Sequence, residues 1–300
     1  MRAFRLIASF AAALSLAGCG TVFLEQKPDE VIVRVADKPD IYPARAVAGI
    51  YAPYAELAAL AYKDTGSLAG WTRIPLSPYV CPAGHICAGE VGEQLWIRRA
   101  HGRCQEAVVV FRGTVASQAD DWLANFHWLH RLTPFDDYYD QARGNIASIV
   151  DKAERQGCAQ RVIAVGHSLG GGLAQHVSYA EQRIRTAYTF DPSFVIGTTD
   201  FNMLGLKSYP KGAMFDYVYE HGEILAFLRF IGRQFQPYTS CNPRIRTVRF
   251  NTLTGSIINQ HRIDDLAAKL VAISKAVVKP SGPVPPVKKY KLDAGCPKPA

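Results

Sequence analysis

No two cysteines stand in a Cys-x-x-Cys spacing. A structural zinc site needs thiolates and imidazoles at short intervals, so no metal site is expected. Aromatic and basic residues do not alternate, and no nucleic-acid-binding motif occurs, which leaves DNA and RNA out as partners. The apolar run Leu6 to Leu16 is too short to span a bilayer stably. Acidic residues are outnumbered, 26 against 34 basic, for a formal charge of +8, part of which is Arg2 and Arg5 at the N-terminus. The lysines collect in the tail, at Lys279, Lys288, Lys289, Lys291 and Lys298. Such a tail is either a solvated end or a patch drawn to anionic phospholipid.

What is present begins with an export pattern. Met1-Arg-Ala-Phe-Arg5 is a basic start, the apolar run follows, and Leu16-Ala17-Gly18-Cys19 resembles a bacterial lipobox. The resemblance implies cleavage before Cys19, a diacylglycerol on its sulfur and an acyl chain on its new amine, a firm membrane anchor. Gly20 follows, with no aspartate there to suggest inner-membrane retention, so the expected location is the cell envelope, at the outer membrane on its periplasmic or surface side. A plain secretory signal with an accidental cysteine is the alternative. The remaining six cysteines suit a disulfide framework in an exported chain. Cys104 and Cys158 each precede an apolar strand, and if those strands are parallel neighbours the two lie within bridging distance. Cys81 and Cys87 flank a short turn, which leaves Cys241 with Cys296.

The 300 residues, 48% hydrophobic, are enough for one large domain. The expected division is a signal peptide (1–18), a lipidated tether (19–45) with Val31–Val35 as a candidate edge strand, a folded domain (46–276), and a Pro/Lys-rich tail (277–300). Within the domain, Tyr54–Tyr62 reads as a helix, and Leu68–Ile74 and Glu93–Arg98 as strands. Asp121–Leu129 reads as an amphipathic helix that packs on the core or covers a site, and Asp136–Glu154 as another helix. The centre is Arg161-Val-Ile-Ala-Val165, a buried strand, followed by Gly166-His-Ser168-Leu-Gly170 and a helical pattern from Leu173. Strand, Gly-x-Ser-x-Gly and helix make a nucleophile elbow, with Ser168 exposed at a helix N-terminus. Upstream, Ala107–Phe111 is a second central strand ending in Arg112-Gly113-Thr114. Acyl transfer needs two backbone N–H donors on the oxyanion, and the amides of Leu169 and Thr114 stand in the right places.

Val110-Phe-Arg-Gly-Thr114 with Asp121-Trp122, then Gly166-His-Ser-Leu-Gly-Gly171, then Ala187-Tyr-Thr-Phe190 together resemble the class 3 lipases, the fungal triacylglycerol lipase-like branch of the α/β-hydrolases. Tyr54–Tyr62 is similar to that family's first helix. The resemblance spans roughly residues 50–275. It implies a mostly parallel central sheet with helices on both faces, and a serine esterase acting on lipid esters without a cofactor. The order in such enzymes is Ser, acid, His. His176 lies within the nucleophile helix and His221 sits beside the acid, so His261, where the family's histidine occurs, is the expected base. The acid departs from the family's Asn-x-x-Asp-Pro-like segment. Glu223, just beyond the strand Met214–Tyr219, is the expected acid, with Asp216 as runner-up and Asp191 read as a turn residue. Two other functions remain open: hydrolysis of soluble esters or thioesters on the same machinery, and an idle lipoprotein used as a binding module. No obligate protein partner is evident.

Overall fold

The computed structural model describes residues 26–276, apart from 36–37, 64, 84–86, 88–90, 115–137, 160, 194, 196, 198–200, 203–204 and 227–242. Its strands are β1 (Glu30–Val35), β2 (Lys38–Pro43), β3 (Trp71–Ile74), β4 (Glu93–Ala100), β5 (Arg103–Phe111), β6 (Val162–His167), β7 (Ile184–Phe190), β8 (Met214–Glu220) and β9 (Arg244–Phe250). Its long helices are α1 (Ala44–Leu60), α2 (Tyr138–Arg155), α3 (Leu169–Ala180) and α4 (Ile263–Lys275).

The strands form one sheet in the order β2-β1-β9-β8-β7-β6-β5-β4-β3. Its middle, β5 to β9, is parallel throughout. Each edge is antiparallel, β4 and β3 on one side and β1 and β2 on the other. A parallel strand covered on both faces must be apolar on both, and β6 is buried at every position. Alternate side chains of the strands supply two cores. Val108, Val110, Ile163 and Val165 face α1 and α4, while Val109, Phe111 and Ala164 face α2 and α3. This is the α/β-hydrolase fold expected from the sequence.

Most elements fall where the pattern puts them, with two extensions. The helix expected at Tyr54 begins at Ala44, directly after Pro43, because Val47, Ala48 and Tyr51 also bury against the sheet. The segment 19–45 is not simply a tether. Its residues 30–35 and 38–43 pair antiparallel as β1 and β2, and Val31–Val35 lies inside the sheet between β2 and β9, with β2 taking the edge. The prolines at 39 and 43 suit an edge strand, where a missing N–H costs nothing.

Cys104 and Cys158 are bonded with Cα atoms 5.3 Å apart, because Ala107 and Val162 are paired parallel neighbours. Cys81 and Cys87 are bonded at 6.1 Å. Cys19, Cys241, Cys296, the Asp121–Leu129 helix and the tail 277–300 lie outside the described residues. Among the described residues, no helix is long and apolar enough to cross a membrane.

Glu93, at the head of β4, is withdrawn from water and accepts a hydrogen bond from the Asn145 amide of α2. Burial pushes its carboxyl up from 4.5 to about 7, with Asn145 opposing. Between those values the folded chain keeps a proton that the unfolded chain has released, so stability falls as pH rises from about 4.5 to 7. The total is of order 3 kcal/mol. In urea unfolding at pH 5 and pH 8, Glu93→Gln should flatten this dependence and exceed the wild type in stability at pH 8; an unchanged slope would show that Glu93 is not its source.

Candidate active site

The carboxyl ends of β6, β8 and β9 converge on Ser168, Glu223 and His261. Ser168 follows β6 and begins α3 with φ 56° and ψ −124°, a positive φ rarely adopted by residues other than glycine. Small residues make the turn passable. A Cβ on Gly166 would lie 2.1 Å from the Gly170 carbonyl oxygen, and one on Gly170 would lie 2.1 Å from that of Phe111. Backbone bonds then fix the serine: its N–H donates to Phe190 O (3.0 Å), and its carbonyl accepts from Gly171, Gly172 and Ser193.

His261 ends a 3-10 turn (Asn259–His261) just before α4, and is buried. Its Nδ1 lies 2.7 Å from Glu223 Oε2, which also accepts the Leu225 N–H at 2.8 Å. A carboxylate oxygen only accepts, so Nδ1 carries the proton and Nε2 keeps its lone pair. The turn bearing Glu223 packs directly on the turn bearing His261: a Cβ on Gly222 would come within 2.3 Å of the Gln260 side chain.

Asp216 has a different setting. Its carboxylate accepts from Tyr51 Oη (2.9 Å) and Arg246 Nε (2.9 Å), mid-strand and away from His261. The runner-up acid is therefore a structural ion pair. His176 is buried among Phe201 and Tyr139, stacked on the former at 4.7 Å. His221 is half-buried, and desolvation with nearby Arg249 lowers its pKa.

Three residues not assigned a catalytic role from the sequence join the site, among them Asp191, read there as a turn residue. Asp191, at φ 41° after β7, is fully buried and accepts the Glu220 N–H through Oδ1 at 3.0 Å. Its carboxylate and ring nitrogens of His167 and His261 lie within 4.8 Å of one another. Metal-like as that trio is, the His261 Nδ1 is committed to Glu223 and both His167 nitrogens are committed as well. His167 Nε2 donates to the carbonyl oxygen of His261 (2.8 Å), so Nδ1 must accept, and Tyr62 Oη donates to it at 2.8 Å. Tyr62 in turn accepts the Gly113 N–H at 3.1 Å. Burial pushes the Tyr62 phenol well above its ordinary pKa and keeps it a donor. One hydrogen-bonded line thus joins the Gly113 loop, the residue before the serine, and the backbone of His261. No pattern in the sequence pairs Tyr62 with His167, and only the fold brings them together.

The loop after β5 lies against the serine: a Cβ on Gly113 would meet His167 O at 2.6 Å and Ser168 Cβ at 3.2 Å. Thr114 follows Gly113 in the chain, and Leu169 follows Ser168 at the start of α3. Glu220 holds the loop toward His261 by accepting from Thr252 Oγ1 (3.0 Å) and Leu253 N (3.1 Å). Desolvation raises its carboxyl pKa, and those N–H donors oppose the rise.

Residues 53–195 match the family described as phospholipase-like, with a Tle-like phospholipase domain. That stretch holds the elbow and the Gly113 loop but ends before Glu223 and His261. No curated protein matches the chain. Among solved structures, it is similar to EstE1, a thermophilic carboxylesterase cloned from a metagenomic library, with 13% identity, TM-score 0.40, and 75% of this chain and 95% of that one covered. It is similar to the propionate-bound esterase Est2 of the planctomycete Thermogutta terrifontis, with 18% identity, TM-score 0.32, and coverage of 49% and 68%. A propeptide complex of Rhizomucor miehei lipase also matches, with 15% identity, TM-score 0.38, and coverage of 65% and 67%.

Removing the Tyr62 hydroxyl deprives the Gly113 N–H and His167 Nδ1 of their shared partner. Tyr62→Phe should therefore lose about 1–3 kcal/mol of unfolding free energy with the denaturant slope unchanged. A midpoint equal to the wild type would mean that the line contributes nothing to holding the loops together.

Proposed function

We propose that the chain is a serine hydrolase of carboxylic esters, with Ser168 as nucleophile, His261 as general base and Glu223 as the acid that orients it. The observation that carries the reading is the 2.7 Å contact between Glu223 and His261 Nδ1, made beside a serine held at positive φ. With Nδ1–H bound to the carboxylate, Nε2 takes the Ser168 proton as Oγ attacks the ester carbonyl. The amides of Leu169 and Thr114 receive the oxyanion, aided by the positive end of α3. Collapse expels the alcohol, which leaves with the proton from His261, and the acyl group remains on Ser168. Water, deprotonated by the same histidine, then releases the acid and restores the serine.

The substrate we propose is a lipid ester, phospholipid or acylglycerol, and class 3 lipases remain the finer relatives suggested by the sequence. The lipobox-like Leu16–Cys19 supports a lipid anchor in the cell envelope, and the phospholipase-like family match supports a lipid substrate. The ordered acid–histidine pair speaks for catalysis over a purely binding role.

Wild-type protein should react with a fluorophosphonate probe and hydrolyse a p-nitrophenyl ester, while Ser168→Ala should do neither; a fully active Ser168→Ala would remove the nucleophile assignment. Loss of the orienting acid in other serine hydrolases lowers kcat by about 10⁴. Glu223→Gln should lower kcat by roughly that order with a smaller change in KM. Asp216→Asn should instead lose stability, about 3–5 kcal/mol for a broken buried pair, and keep its kcat. The opposite pattern in the two variants would exchange their roles.

A further inference from the structure

The first described residue, Gln26, is buried and tied to one end of the sheet. Its amide Nε2 donates to Arg249 O (2.8 Å) and Glu30 O (2.9 Å), and its Oε1 accepts from Arg249 Nε (2.9 Å). Its backbone carbonyl accepts from Asn251 Nδ2 at 2.6 Å. Arg249 to Asn251 is the carboxyl end of β9, and β9 runs parallel to β8, β7 and β6. Gln26 is therefore fastened at the end of the sheet where Ser168, Glu223 and His261 stand.

Six residues lie between Cys19 and Gln26, seven Cα–Cα steps in all. Fully extended, they reach at most about 25 Å. A folded domain of this size is about 45 Å across. A lipid on Cys19 therefore cannot bring the opposite end of the sheet to the bilayer without releasing Gln26.

The same end carries exposed apolar side chains. The large aliphatic residues that stand out to solvent among the described residues are Val80 (82% exposed), Ile41 (64%) and Ile257 (54%). Ile257 lies on the loop from β9 to His261, and the stretch Asn251–Gln260 contains no charged residue. Val80 lies on the loop from β3 to β4, which leaves at Ile74 and returns at Glu93, beside Leu95 and Phe111 at the carboxyl end of β5. Ile41 lies opposite Ile32, whose other neighbour is Arg249. Surface apolar residues scattered singly need no explanation, but these three share the end that the anchor reaches, Ile41 at one edge of the sheet, Val80 on the loop beside the other edge and Ile257 on the loop after β9 between them.

We propose that the carboxyl-end rim, with Ile257, Val80 and Ile41 as its apolar contacts, is a membrane-docking surface. The catalytic opening faces the bilayer that holds the acyl chains of Cys19, and the substrate is an ester lipid of that same leaflet. The inference rests on the anchored serine hydrolase proposed above.

The test uses the full-length lipidated protein in phosphatidylethanolamine–phosphatidylglycerol vesicles. A click-reactive amino acid, labelled with a donor dye, replaces Thr254 on the catalytic rim or Arg103 at the opposite end of the sheet. Energy transfer to a headgroup acceptor should be strong from 254 and weak from 103. A 30-residue Gly/Ser insertion after Thr21 should bring the two signals together. In parallel, a self-quenched phospholipid in the host vesicle should be cleaved at least tenfold faster than the same lipid in added vesicles. The insertion should shrink that ratio and leave p-nitrophenyl butyrate turnover unchanged. Equal transfer from both positions without the insertion, or stronger transfer from 103, would overturn the orientation. An unacylated Cys19 by mass spectrometry, with no vesicle binding, would remove the anchor and the proposal together. Transfer as expected from a protein inert to every ester would support the docking surface and overturn the hydrolase.

Discussion

Everything near the site depends on one expensive backbone conformation, that of Ser168. A non-glycine residue at φ 56° and ψ −124° costs of order 1–3 kcal/mol and persists only if its surroundings leave no alternative. Here they do not. The serine N–H is held by β7 through Phe190, its carbonyl is covered by three N–H groups, and its neighbours touch adjacent backbone at van der Waals limits. The parallel pairing of Phe111 with Gly166 and of His167 with Phe190 sets those distances. The sheet register is thus the source of the strain at Ser168, which the expectation placed in the open and the structure buries.

Around the serine, the molecule spends buried carboxylates on backbone. Asp191 receives the Glu220 N–H, Glu220 receives Leu253 and Thr252, and Glu223 receives Leu225 together with His261. Apart from the local bond between Leu225 and Glu223, each fastens the end of one strand or its loop to that of the next. Charge in a low-dielectric setting is tolerated when it is fully hydrogen-bonded, and charge-assisted bonds are stronger than neutral ones. Mid-sheet acids follow another rule: Asp216 and Glu106 meet arginines instead.

Local pattern and chain order explain what was legible in the sequence. A β-branched run before Gly-x-Ser-x-Gly admits few conformations, so the elbow at Ser168 could be read directly. Cys104–Cys158 followed from two strands being parallel neighbours, and the meeting of Glu223 with His261 from a carboxylate just beyond a strand and from the chain order and family resemblance that singled out the histidine. The limits are equally physical. Asp191 precedes a proline and reads as a turn; its burial depends on β8, which pairs with β7 only after a long excursion. The line from Gly113 through Tyr62 to His167 joins residues 105 apart between tyrosine and histidine, a separation at which no periodicity operates. The pair β1–β2 looked like a tether because its partner, β9, lies more than 200 positions away.

That last pairing bears on how the molecule comes into being. Ile32 meets Arg249, so the first part of the domain to be synthesised cannot complete its hydrogen bonds until nearly the last part has emerged. Contacts of such span are slow to form, since a long loop must close before the pairing repays it. A strand that waits in this way leaves that side of the sheet open until β9 is available. The closing pair lies beside Gln26, whose side chain and carbonyl are bonded to Arg249 and Asn251, so completing the sheet and fixing Gln26 draw on the same residues.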